Sequence, residues 1–262
     1  MFRKTCLILA VLVMLTAIVI PHHSATATVM QTIPLNTGFN HDPQYLQKYS
    51  PNPKDDLFWS VIQDPNGSTL HPASTINPYP VAWQAAQGDS QWISFVNDGS
   101  TGLKQGAYVY QKCFCLTRAL FENKDAINQS SLDLSVMADD AFYLDVNSMP
   151  GPLGNILTNG GGKGGFGGPP ATLKLTGQAL VNKLKAGRNC LNVRVDDLGG
   201  VITGFNLVGT LTTTGIDGIA QAAGPKETPQ FNNCSSCKKR GPFDPSTEVG
   251  PAIKVQPVKR LR

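Results

Sequence analysis

From Gly106 onward, apolar and polar positions alternate with the period of two that defines a β-strand. Ala107 to Leu116 places Tyr108, Tyr110, Lys112, Phe114 and Leu116 on one face, and Val109, Gln111, Cys113 and Cys115 on the other. Leu132 to Val136 alternates in the same way, and so does Ala141 to Val146, which follows the acidic turn Asp139-Asp140. Cys190 to Val195 and Gly204 to Leu211 read as two further strands. The helix candidate is Leu175 to Leu184, where Leu180, Val181 and Leu184 share one side and Gly187 stands as a stop signal. Many short strands separated by turn residues, with one short helix, predict a mainly β, antiparallel β-sandwich.

The flanking regions are less regular. Met30 to about Gly102 is dense in Pro, Asn, Asp and Ser, with apolar pieces such as Leu57 to Ile62 set between turns such as Asp64-Pro65-Asn66-Gly67. Gly151 to Pro170 is a glycine-rich, low-complexity stretch, read here as a mobile loop. It contains G-x-G-x-x-G at Gly162 to Gly167, but neither a strand before it nor a helix after it, so phosphate binding is not indicated. Prolines at 225, 229, 242, 245, 251 and 257 break up any regular structure in an irregular C-terminal tail.

The N-terminus changes the picture of where the chain works. Arg3 and Lys4 precede an apolar run from Leu7 to Ile20, and a small-residue site, Ala25-Thr26-Ala27, follows Pro21. These are the parts of a secretory signal peptide, with cleavage expected after Ala27 and a secreted mature chain. The run is short for a bilayer span of roughly 20 residues, and no second such run follows it. The expected organisation is a signal peptide at 1–27, one β domain at 28–218, and a basic, Pro-rich tail at 219–262 that carries a C-x-x-C. The formal charge of +4 divides accordingly. Residues 28–224 hold twelve basic and fifteen acidic residues, whereas 225–262 hold eight basic and three acidic. A body that is net acidic offers no basic face for nucleic acid, and the basic tail is left as a contact for an envelope partner or for self-association.

Cysteine usage fits an oxidising compartment. Cys113, Cys115, Cys190, Cys234 and Cys237 all lie beyond the expected cleavage site. Cys113 and Cys115 share a strand face and seek partners elsewhere, with Cys190 the natural partner for one of them. Cys234-Ser235-Ser236-Cys237 is read first as a local disulfide, which leaves one odd thiol. It lacks the further ligands of a zinc site and the surroundings of a redox motif. Of the four histidines only His41 and His71 follow Ala27, and no nucleophile elbow, HExxH or standout carboxylate pair is present, so no enzyme is expected.

The order of several pieces resembles the galactose-binding-like domains of bacterial secreted and surface proteins. Those pieces are Asn36-Thr37-Gly38, Phe58-Trp59-Ser60-Val61, Gln91-Trp92-Ile93-Ser94, Gly106 to Tyr110, Ala138-Asp139-Asp140, Phe142 to Asn147, and Leu184 to Val195. They span about residues 36 to 212. The resemblance implies a jelly-roll sandwich that binds carbohydrate or another ligand through loops at one end, with no cofactor or only a structural calcium. Two departures stand out: the hairpin Asp145-Val146-Asn147-Ser148 lacks the family's glycine, and the basic C-terminus lacks a hydrophobic sorting helix.

Within this frame Tyr79, Trp83 and Trp92, with Asn77 and Asp89 as polar neighbours, form the ligand-binding candidate, because an aromatic ring stacks on the apolar face of a sugar. Trp59 and Trp92 sit in strand-like runs and are expected in the core instead. Asp139, Asp140 and Asp145 are the calcium candidates, although adjacent aspartates more commonly build a turn. Two functions remain open: a non-catalytic module that binds carbohydrate or a surface polymer, and a structural subunit of a surface layer, appendage or matrix.

Overall fold

The computed structural model describes residues 29–38, 55–67, 70–152, 155–159 and 162–219. Cys234 and Cys237, the tail beyond 219, the expected signal segment and His41 lie outside the described residues. The chain is mainly β, as the alternation indicates, and every strand pairing is antiparallel. Its spine is a ladder of β5 (Gly106–Leu116) with β10 (Gly187–Asp197), in register along the full length of both strands. β7 (Ala141–Val146) and the short β8 (Leu157–Thr158) extend one side of the ladder. On the other side the path runs through β2 (Asp55–Gln63), β3 (His71–Thr75), β4 (Ile93–Ser94) and β11 (Gly204–Thr213) to β6 (Ser131–Asp139) and β9 (Ala171–Thr176). β1 (Gln31–Pro34) pairs with β11, and β12 (Ile216–Ile219) with β5.

The strands form a single hydrogen-bonded path. Register shifts in β2, between Asp55 and Ser60 and again between Val61 and Gln63, bend the sheet where it turns the corner. Its two ends, β8 and β9, approach each other, so the sheet nearly closes into a barrel-like shape. Inside lie the rings of Trp59, Tyr108, Tyr110, Phe142 and Phe205 with Val193, Val195, Leu144 and Leu207. Trp59 meets Phe205 edge-on at 5.2 Å between ring centres. Both Trp59 and Trp92 are fully buried, where their strand contexts place them.

Helical structure is distributed differently from the expectation. Ala171 to Thr176 alternates and joins the sheet as β9, leaving only α3 (Gly177–Val181) as helix, although Leu180, Val181 and Leu184 are buried together. Two short helices, α1 (Ala119–Glu122) and α2 (Lys124–Gln129), cover the end of the barrel before β6. The side chain of Asn123 accepts hydrogen bonds from Asp125 N and Ala126 N, so its cap is the signal for α2 in the sequence. The described part of the glycine-rich loop is also anchored, contrary to a mobile reading. Gly164 O accepts from Ala138 N on β6, and Phe166 O accepts from Gln84 N. Gly164 takes φ +82, and a Cβ there would meet Phe142 at 2.7 Å, so only glycine fits.

The hairpin without its glycine solves the turn another way. Asn147 adopts φ +63, the left-handed conformation that asparagine tolerates better than other side chains. Its amide donates to Lys183 O and Asn189 Oδ1, and its Oδ1 accepts from Cys190 N. That contact sits beside the disulfide Cys113–Cys190, which joins residues facing each other across the β5–β10 ladder. Cys115 is disulfide-bonded as well. No helix among the described residues is long and apolar enough to cross a membrane.

Lys112 is the one charge on the core-facing row of β5, and it is 1% exposed. Its ammonium sits 5.6 Å and 5.8 Å from the ring centres of Phe58 and Trp59. Burial pushes it down to about 7, against the pull of the neighbouring Asp56 carboxylate. Asp56, also buried, accepts from Gly38 N at 2.6 Å, Phe58 N at 2.8 Å and Trp59 N at 3.1 Å. Asp56→Ala leaves Lys112 and three backbone donors without this carboxylate. We expect it to lower unfolding free energy by about 3–5 kcal/mol in a urea titration, the range for breaking a buried charge pair.

Candidate functional site

At one end of the barrel the ligand candidates Trp83 and Trp92 meet one of the calcium candidates, Asp139. Ile76, Trp83, Trp92 and Met137 form a second apolar cluster, separate from the main core, with Tyr79, Ala86, Phe166 and Ile202 against it. The rings of Trp83 and Trp92 lie 4.3 Å apart at 39°. Each indole is held at its nitrogen: Trp92 Nε1 donates to Gln84 O at 2.9 Å, and Trp83 Nε1 donates to Asp139 Oδ2 at 2.8 Å. Gly204 makes room for this packing, because a Cβ there would meet Trp83 at 2.9 Å and Ile93 O at 2.8 Å.

The ring of Trp83 is only 5% exposed, so it cannot present an open face to a sugar, and its expected role as a stacking platform is corrected to that of a buried wall. The reason lies in the glycine-rich loop: Phe166 packs on the cluster, and Gln84 binds the loop through both its backbone N and its side chain, to Phe166 O and Gly167 O. Loop and aromatic segment are 83 residues apart in sequence, and their meeting could not be read from either alone. Tyr79 and Asn77 are half-buried at the edge of the cluster, Asp89 is exposed, and Gln84 is exposed beside them. These four carry the accessible polar and aromatic surface of the predicted group.

Asp139 closes β6, and Asp140 follows it in the tight turn into β7. Burial pushes the Asp139 carboxyl up to about 7; its contact with Asp140 and the charge of Asp197 add to the rise, while the Trp83 donor opposes it. Asp140 Oδ2 accepts from Leu198 N, and Asp197 Oδ1 accepts from Gly199 N and Gly200 N. Asp140 and Asp197 thus hold backbone amides of the turn after β10, the kind of role adjacent aspartates more commonly take. Asp145 does not join them. It stands at the far end of β7, accepting from Ser148 Oγ at 2.5 Å and paired with Lys183 at 3.5 Å. The expected calcium trio is therefore divided, and no group of three or more metal-ligating side chains that could hold an ion occurs among the described residues.

Sequence reasoning missed three features of this end: the loop contribution of Phe166, the tie from Trp83 to Asp139, and the network behind them. In that network Gln87 N and Gln87 Nε2 donate to Asn206 Oδ1, Ser135 Oγ bonds Gln87 Oε1, and Asn206 Nδ2 donates to Ser90 Oγ. Gln87 and Ser90 stand in the Pro/Trp-rich segment, so a polar row fastens that segment to β6 and β11. A polar Asn206 between Phe205 and Leu207 was its only trace in the sequence.

No protein-family model and no curated protein sequence matches the chain. Among solved structures, similarity is found to a Bacteroides fragilis protein assigned as a beta-galactosidase, at 11% identity and a TM-score of 0.31. The alignment covers 70% of this chain and 23% of that one, so the chain spans about a quarter of that protein's length.

The raised Asp139 carboxyl makes stability depend on pH with a definite sign. A folded-state value above the unfolded one means that the folded form holds its proton more tightly. The contribution is complete below about pH 4 and is lost as pH rises through about 7. Asp139→Asn keeps an acceptor for Trp83 and cannot ionise, so thermal melts of this variant between pH 4 and 7.5 should lack the decline seen in the parent protein.

Proposed function

We propose that this protein is a secreted, non-catalytic carbohydrate-binding module with a galactose-binding-like jelly-roll fold, exported by the segment 1–27 and working at the cell surface or outside the cell. The observation that carries the reading is the packing of half-buried Tyr79 against the fixed Trp83–Trp92 cluster, which leaves an accessible ring at one end of the barrel. Sugars are recognised by two chemistries together: an aromatic ring covers the apolar C–H face, while amide and carboxylate groups bond the hydroxyls. With Trp83 and Trp92 buried behind it, Tyr79 is the ring that would touch ligand, and half-buried Asn77 with exposed Gln84 and Asp89 supply the polar groups of the same segment.

A rigid support favours such a role. The wall is fixed at both indole nitrogens and by the glycine-rich loop, so little ordering is left to the moment of binding. The Cys113–Cys190 disulfide is consistent with an oxidising, extracellular setting. The ligand is a neutral glycan or surface polymer, bound without a metal.

A glycan array probed with the oxidised protein, followed by calorimetry on the best ligand, tests the reading. Binding is expected to be insensitive to salt between 50 and 500 mM, since no phosphate-like charge is being neutralised. Tyr79→Ala should weaken it at least about tenfold, equivalent to roughly 1.4 kcal/mol, with the melting temperature unchanged. A variant that binds as the parent does would remove Tyr79 from the site, and silence across the array would remove the carbohydrate reading.

A further inference from the structure

The disulfide state of Cys115 has a consequence for the C-terminal tail that does not depend on the ligand reading. Cys115 is bonded, and its neighbour Cys113 is already joined to Cys190. No other cysteine occurs in residues 29–219, so the partner of Cys115 is one of Cys6, Cys234 and Cys237. Two observations direct the choice to the tail. First, Cys115 belongs to the row of β5 that points away from the main core, opposite Phe114 and Leu116, yet it is fully buried. Second, β12 lays the chain against β5 with Gly218 opposite Cys115 and Ile219 opposite Phe114, so the tail departs from a point adjacent to the sulfur. The fourteen residues between Ile219 and Cys234 reach far more than the few ångströms between the Cβ atoms of a disulfide, about 45–50 Å if extended.

We infer that the basic tail is covalently tethered to the outer face of β5 by a disulfide between Cys115 and one cysteine of Cys234-Ser235-Ser236-Cys237. This replaces the local C-x-x-C bridge expected from spacing alone, and leaves the other tail cysteine as the odd thiol. Such a tether encloses Lys226 in the loop it closes and leaves Lys238, Lys239 and Arg240 directly after it, so this part of the tail's basic charge is brought to a net acidic body. A contact through this basic surface would be made by body and tail together.

Trypsin makes the test direct. Its cleavage sites place Cys113 and Cys115 on one peptide, 113–118, Cys190 on 189–194, and both tail cysteines on 227–238. Full-length protein purified under oxidising conditions is alkylated at low pH, digested without reductant and mapped by mass spectrometry. The expected product is a three-peptide species joining 113–118, 189–194 and 227–238, with one alkylated cysteine on the last. In parallel, cleavage after Lys226 should leave the tail attached on a non-reducing gel and release it on reduction. The inference is overturned by a 227–238 peptide that carries its own internal disulfide, by alkylated Cys115, or by Cys115 joined to the Cys6 peptide or to a second copy. The double variant Cys234→Ser, Cys237→Ser gives the control: the 113–118 and 189–194 pair persists, and the tail is released in both gels.

Discussion

The buried carboxylate of Asp56 ties together three segments of the chain. It accepts from Gly38 just after β1, from Phe58 and Trp59 at the start of β2, and lies beside Lys112 in the middle of β5. An uncompensated ammonium on the inner row of β5 would cost several kcal/mol, so the aromatic core can assemble only with β2 in this register. Trp59 then takes its position against Phe205 with its indole nitrogen donating to Leu35 O, which fixes the segment after β1 as well. The bends in β2 that turn the sheet back on itself begin where this carboxylate holds the strand. Closure of the barrel and satisfaction of one buried charge are in this sense the same event.

How much of this was legible beforehand depended on the range of the interaction. Strands β5, β6, β7, β10 and β11 follow from period-two alternation, which is local and survives into the tertiary structure because one face of each strand is buried. The inner row of β5 was legible residue by residue, including Lys112, whose presence in an aromatic stripe is itself the sign of a buried partner; the identity of that partner lies 56 residues away and carries no local signal. The helix read at Leu175 to Leu184 failed because Leu173, Lys174 and Leu175 find a ladder partner in β6, and pairing outweighs a weak helical pattern. The buried positions of Leu180, Val181 and Leu184 were legible even so, since a short helical turn and a longer helix bury the same side.

At the site, residue types were legible and their exposure was not. Trp83 stands among prolines and polar residues, surroundings that belong to a surface loop, and only the return of the glycine-rich segment puts it inside. Conversely, Asp139 and Asp140 were picked out for metal chemistry, whereas one holds an indole and the other an amide of the next turn. The split between Asp140 and Asp145 is a matter of strand geometry: a strand rises roughly 3.4 Å per residue, so the two ends of β7 lie some 17 Å apart.

The pairing of β1 with β11 brings Thr32 against Thr212, residues 180 apart. β11 also supplies the partner for β4 and for β6, so three strands made earlier wait on one made later in the chain. A ribosome that has produced the first 186 residues has made β5 and β7 but neither β10, which joins them, nor β11, which closes the barrel. Sheets built from such distant pairings fold slowly, because long loops must be closed before the contacts that repay them are formed. The barrel thus stays open until β11 is made, and a truncation before Gly204 yields a polypeptide with unpaired strand edges rather than a smaller version of the fold.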